Sequence, residues 1–240
     1  MTQLEGASTA GAQEGPGELR RARLYERAAE HIAAWIAENR LVPGDRLPPE
    51  RELAASLGIS RATLSQALVA LEVIGVLEVR HGSGAVVTSG SAPGRVLEAI
   101  RAHVTRLPEI IEARDALESK LAALAAQRRQ QEDLRRIDAA LQAMEEDIAS
   151  GGRGLEGDEL FHAAVVAAAR SSLLAAMMAE LSGRIRETRI ESLSQQGRPA
   201  ASLKGHRRIA AAIREGDAAA AAQAMHDHIE AVSRVEHLDG

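Results

Sequence analysis

Asp158 and His162 stand four residues apart, which places both side chains on one face of a helix. His206 begins a later helical segment and His228 lies near the end of the last one. One carboxylate and three imidazoles supply the oxygen and nitrogen donors that hold zinc, nickel or manganese. A metal held this way keeps open positions for an outside carboxylate. Taken singly, a histidine on a helix is more often solvated or a satisfied core residue, and His31, His103, His226 and His237 belong to that class. His226 lies two residues from His228, so on a helix it faces away from it.

A second constellation has different chemistry. Arg61, Thr63, Ser65 and Gln66 occupy the first turns of a short helix that follows the turn Leu57-Gly58-Ile59-Ser60. Arginine pairs bidentately with guanine and glutamine with adenine, so these types suit the major groove of double-stranded DNA. Arg80-His81-Gly82 follows at the tip of a hairpin, suited to the minor groove or the backbone.

The elements that must position these residues are legible from periodicity. Apolar residues at Leu24, Ala28, Ile32, Trp35 and Ile36 mark one helix, and Val42-Pro43-Gly44-Asp45 breaks it. Pro48-Pro49-Glu50 opens a second helix that ends at Gly58, and Ser60 caps a third, Arg61 to about Gly75. Strand signals at 76–79 and 85–88 bracket the hairpin tip. Beyond a Ser/Gly/Pro stretch every segment has helical period, near 95–105, 108–129, 131–150, 157–169, 171–193, 200–214 and 217–236, with a break expected at Pro108. The expected fold is mostly α. A disordered tail (1–19) precedes a winged helix-turn-helix (20–88), a linker (89–95) and an all-α bundle of six to seven helices (96–237).

Composition narrows the rest. Tyr25, Trp35 and Phe161 are the only aromatic residues, which argues against stacking of single-stranded bases and requires aliphatic cores. With no cysteine, disulfides, thiolate catalysis, iron–sulfur clusters and Cys-type zinc fingers are excluded. No run of eighteen apolar residues predicts a membrane span, and Met1–Pro16 lacks the pattern of a secretory signal, so a cytoplasmic protein is expected. The net charge is −5, yet residues 20–90 carry +1, the only segment on the basic side.

The runs Gly44-Asp45-Arg46-Leu47-Pro48-Pro49-Glu50-Arg51-Glu52-Leu53-Ala54, Leu57–Arg61, Ala67–Leu71 and Gly75-Val76-Leu77 resemble the winged helix-turn-helix of GntR-type bacterial transcriptional regulators. The resemblance implies DNA contacts from Arg51, Arg61, Thr63, His81 and Gly82. Many members carry Arg-Glu where this chain has Ser65-Gln66, which implies a different operator. Glu112–Glu118 and Leu121–Ala126 resemble the opening of the FCD ligand-binding domain of the FadR branch. Asp158-Glu159-Leu160-Phe161-His162 is similar to its Asp-x-x-Phe-His motif, and His206–Ile213 to its His-x-x-Ile-x-x-Ala-Ile motif. The family's metal positions thus fall on Asp158, His162, His206 and His228, with zinc foremost and nickel or manganese as alternatives. Its effectors are mostly small carboxylates, with sugar acids for some members; the ligand set argues against acyl-CoA. Arg114 is the candidate effector-binding arginine, its alternative being an ion pair with Glu118 one turn on. Where Ser171 stands, members often have Asn.

The expected function is a ligand-responsive repressor, a homodimer on a palindromic operator, with no catalytic residues and no membrane partner. A metal-dependent hydrolase is the rival, although no second acid/base pair sits near the ligands and Glu159 points off their face. A structural metal serving dimerisation alone is the third reading.

Overall fold

The computed structural model describes residues 18–80, 84–89 and 93–234. His81 and Gly82, the tail to residue 17, and His237 lie outside the described residues.

The first unit is built on three helices: α1 (Glu18–Glu38), α2 (Glu50–Leu57) and α3 (Arg61–Val73). Tyr25, Ala29, Ile32 and Ile36 recur at helical period, and all are buried against Leu64, Leu68 and Leu71 of α3. Full burial of each such large aliphatic side chain contributes about 1.5–3 kcal/mol. The N–H of Gly58 turns back to the carbonyls of Ala54 and Ala55 and ends α2. Ser60 then starts α3, its Oγ accepting the Thr63 N–H at 3.1 Å.

Strands β1 (Leu77–Arg80) and β2 (Gly84–Val87) form an antiparallel wing with Leu77 opposite Val87 and Arg80 opposite Gly84. The sequence reads Val42–Asp45 as a break between helices. In the structure the chain around Gly44–Leu47 also covers the free edge of β2. Gly44 N–H donates to Val87 O, Leu47 N–H to Ala85 O and Val87 N–H to Asp45 O, each at 2.9 Å.

After a single 3-10 turn (Pro93–Arg95), α4 runs unbroken from Val96 to Arg128. The break expected at Pro108 does not occur. Proline costs the helix one donor, to the Val104 carbonyl, but tertiary packing holds both flanks. Val96 and Ile100 are buried in the winged unit's core, whereas Ile110, Leu121, Ala122 and Ala125 are buried in the second core. One helix therefore belongs to both cores.

The helices α5 (Gln131–Ala149), α6 (Leu155–Ala168), α7 (Ser172–Leu193), α8 (Arg198–Glu215) and α9 (Ala218–Ser233) complete a six-helix bundle with α4. The most extensive helix packing pairs α4 with α9, α5 with α6 and α8 with α9. Gly157 makes the α5–α6 contact possible, since a Cβ there would meet the Met144 backbone nitrogen at 2.4 Å. The turn before α6 also touches the winged unit. Arg153 donates to Glu72 of α3 at 2.6 and 2.8 Å, to the Val79 carbonyl of β1 at 3.1 Å and to Ser194 Oγ at 2.6 Å.

Candidate metal centre and DNA-reading face

Three of the bundle's helices aim four side chains at one point. Asp158 and His162 come from α6, His206 from α8 and His228 from α9, and all four are buried. Each offers a ligand atom, and the four atoms lie within 4.8 Å of one another. His206 Nε2 is 3.3 Å from both His162 Nε2 and His228 Nε2, and 3.5 Å from Asp158 Oδ1. Imidazole lone pairs that converge in this way repel one another unless a proton or cation lies among them. Bonds of about 2.0–2.1 Å to a tetrahedral zinc would set its ligand atoms roughly 3.3–3.4 Å apart. The donor set therefore fits a small divalent cation.

The surroundings hold the donors in ligating form. Burial, with His162 and Arg189 close by, keeps the His206 imidazole well below its usual pKa; burial and its histidine neighbours do the same for His228. Both are neutral near pH 7, the state a metal requires. His162 Nδ1 lies against Glu118 Oε2, which orients Nε2 toward the cluster in the manner of a carboxylate behind a metal-bound histidine. Burial alone would raise the Glu118 carboxyl, but Arg114, His162 and Arg189 outweigh it and hold the group well below the carboxylate range. Phe161 stacks on the His206 ring at 4.2 Å, and Ser202 Oγ donates to Asp158 Oδ1 at 3.3 Å. His228 packs on Gly205, where a Cβ would stand 2.9 Å from Nδ1.

Arg114 is fully buried and takes the ion pair its spacing allowed, Nε to Glu118 Oε1 at 2.7 Å, while Nη1 donates to Thr188 Oγ1 at 2.9 Å. It also borders a small cavity beside the cluster, with Arg189, Arg198, Ser192, Ser202 and His228. Arg189 Nε lies 2.9 Å from Asp158 Oδ2. Neither Arg189 nor Arg198 lies in a recognisable motif, and each is more than thirty residues along the chain from Asp158, which it faces. Glu118 was visible only as a helix partner of Arg114.

The other histidines fall outside the cluster. His31 is exposed, and His226 pairs with Asp115 at 2.9 Å on the far face of α9. His103 of α4 is buried between Glu187 and Glu191 of α7, at 3.1 and 2.9 Å. Burial pulls its pKa down, yet the two carboxylates raise it to about 9.

The candidate DNA-reading residues have the opposite character. Arg51, Arg61, Ser65 and Gln66 are exposed. Among the described residues neither arginine has an ion-pair partner, so both guanidiniums are free for phosphate or base. Thr63 is half-buried and its hydroxyl lies 2.8 Å from Ser60 Oγ, which ties it to the cap of α3.

Comparison with known proteins agrees with both halves. The family "Bacterial regulatory proteins, gntR family" matches residues 24–87, and the FCD domain matches 109–231. The Uxu operon transcriptional regulator of Escherichia coli is 34% identical over 222 residues, 88% of this chain and 86% of that protein. The HTH-type transcriptional regulator LutR of Bacillus subtilis is 31% identical over 83% of this chain and 95% of its own length. A solved Streptococcus agalactiae GntR structure is 27% identical, covers 88% of this chain and all of its own, and superposes with a TM-score of 0.47. No helix among the described residues is long and apolar enough to cross a membrane. The chain belongs to the GntR family of bacterial regulatory proteins, with an FCD domain behind its winged helix-turn-helix, and is a DNA-binding transcription regulator rather than an enzyme.

Proposed function

We propose that this regulator is a homodimeric repressor whose bundle holds a divalent cation, zinc foremost, and senses a small carboxylate or sugar acid. The observation that carries this reading is the convergence of three buried imidazoles and Asp158 on one point. Asp158, His162, His206 and His228 would hold the ion. The bound cation would supply concentrated positive charge and a coordination position for an anionic effector. Arg114 and its neighbouring arginines supply donors beside it, the usual partners of a carboxylate.

Arg51, Arg61, Thr63, Ser65 and Gln66, with His81 and Gly82 of the wing tip, read the operator on this account. A two-fold protein matches a palindromic site. Effector binding shifts the balance between two placements of the winged units, and it does so only as far as it favours one of them.

The test is thermal stability of the zinc-loaded full chain against a panel of mono-, di- and tricarboxylates and sugar acids. A ligand at a hundred times its Kd adds about 2.7 kcal/mol. One acid class should raise the melting temperature in the wild type and leave His206→Ala unmoved. Equal shifts in both proteins would separate the effector from the metal. Stabilisation by zinc with no response to any acid would leave the metal a structural role only.

A further inference from the structure

We propose that Arg198 forms a second anion subsite beside the cluster, so that the effector carries two acidic groups: a dicarboxylate or aldaric acid rather than a monocarboxylate or uronic acid. This deepens the carboxylate-effector reading and rests on it. The starting point is a charge count. Three guanidiniums, Arg114, Arg189 and Arg198, border one small cavity together with Asp158, and Glu118 lies behind Arg114. Three cations against two carboxylates leave a surplus of positive charge before any metal is added.

The arginines are not equivalent. Arg114 is committed to Glu118 and Thr188, and Arg189 lies between Asp158 and Glu118, 2.9 and 4.0 Å away. Arg198 has no acid within ion-pair distance among the described residues; its Nε donates to Ser192 Oγ at 3.2 Å. Burial disfavours its charged form, with Asp158 offsetting part of that cost. It is also the first residue of α8, so the positive end of that helix's dipole lies beside it. The cavity beside it has about 10 Å³ of free space, the room of about one water, so a carboxylate enters as the half-buried Arg198 side chain moves outward to receive it. A carboxylate would offset the surplus charge, and a neutral hydroxyl would leave it in place.

Isothermal titration of the zinc-loaded full chain with matched acids tests this. Succinate against butyrate, and glucarate against glucuronate, differ by one carboxylate on the same carbon skeleton. The dianion should bind at least tenfold tighter in each pair where binding occurs. Arg198→Gln should bring the ratio close to one, Arg198→Lys should keep most of it, and zinc content should stay at the wild-type value in both. A ratio that survives Arg198→Gln, or a wild type that prefers the monoanion, overturns the subsite while leaving the effector reading intact. Binding of neither class overturns the effector reading and the subsite with it.

A separate observation carries a second inference. We infer that Arg153 is the coupling residue between the bundle and the DNA-reading unit. Its guanidinium holds both oxygens of buried Glu72 near the end of α3, the Val79 carbonyl of the wing, and Ser194 at the end of α7. It stands five residues before Asp158, and α7 carries Arg189. Movement of either helix about the cluster thus acts directly on the wing and the recognition helix. Amide hydrogen exchange of the full chain with and without zinc reads this. Zinc should protect 72–79 together with α6, α8 and α9 in the wild type. In Arg153→Gln the protection of the helices should persist while that of 72–79 is lost. Unchanged protection of 72–79 in the variant, or none in the wild type, would overturn the inference.

Discussion

The cluster and the candidate DNA-reading face use the same residue types in opposite settings. In the bundle, Arg114, Glu118, Asp158 and the three histidines are buried and bonded to one another. On the winged unit, Arg51 and Arg61 are exposed and unpaired among the described residues. Burial makes each polar group in the first region depend on its partners, because a charge left alone there cannot turn to water. Exposure makes the second region cheap to alter for the fold. Substitutions in the bundle should therefore cost stability, and those on the face should cost only DNA binding.

The largest expected effect breaks a buried pair. Arg114→Ala takes from Glu118 its guanidinium partner, leaving it only His162 and the more distant Arg189, and should lower stability by about 3–5 kcal/mol, read as a denaturant midpoint. A loss under about 1 kcal/mol would show that the bundle tolerates losing a buried ion-pair partner and would erase the contrast. Next comes His103, held between Glu187 and Glu191 with a pKa of about 9. Because the folded value lies above the unfolded one, near 6.5, its contribution is full below pH 6.5 and is lost as pH rises through 9. Stability should fall across that window by about 1–3 kcal/mol, and His103→Gln should flatten the fall. A wild type whose stability is level from pH 6.5 to 9 would contradict it.

On the exposed face, Arg61→Ala should weaken operator binding by about 1–3 kcal/mol and relax preference at one base. Its melting temperature should stay at the wild-type value. Equal loss on random DNA would make Arg61 a phosphate contact instead. The smallest effect belongs to a surface ion pair such as Arg135 with Glu132, where Arg135→Ala should leave the melting temperature at the wild-type value.

Local rules account for what the sequence made legible. Ser60, Gly58 and the apolar period of Leu64, Leu68 and Leu71 define α3 within the chain itself. Asp158 and His162 share a helix face by spacing alone. Pro108 misled because packing against two cores outweighs one missing donor. The edge formed by Gly44–Leu47 was invisible because its partner, β2, lies about forty residues away in sequence. Arg189 and Arg198 were hidden for the same reason: nothing local to α7 or the start of α8 shows that Asp158 lies opposite. The role of Gly205, directly before ligand His206, appears only once His228 packs against it.

The most direct test of the central claim is the metal content of the purified full chain, followed by X-ray absorption at the edge of the metal found. The account predicts one divalent ion per chain with a shell of nitrogen and oxygen that includes three imidazoles, and its loss in His206→Ala. A chain that binds no divalent ion at equilibrium, or that binds one equally well without His206, would contradict it.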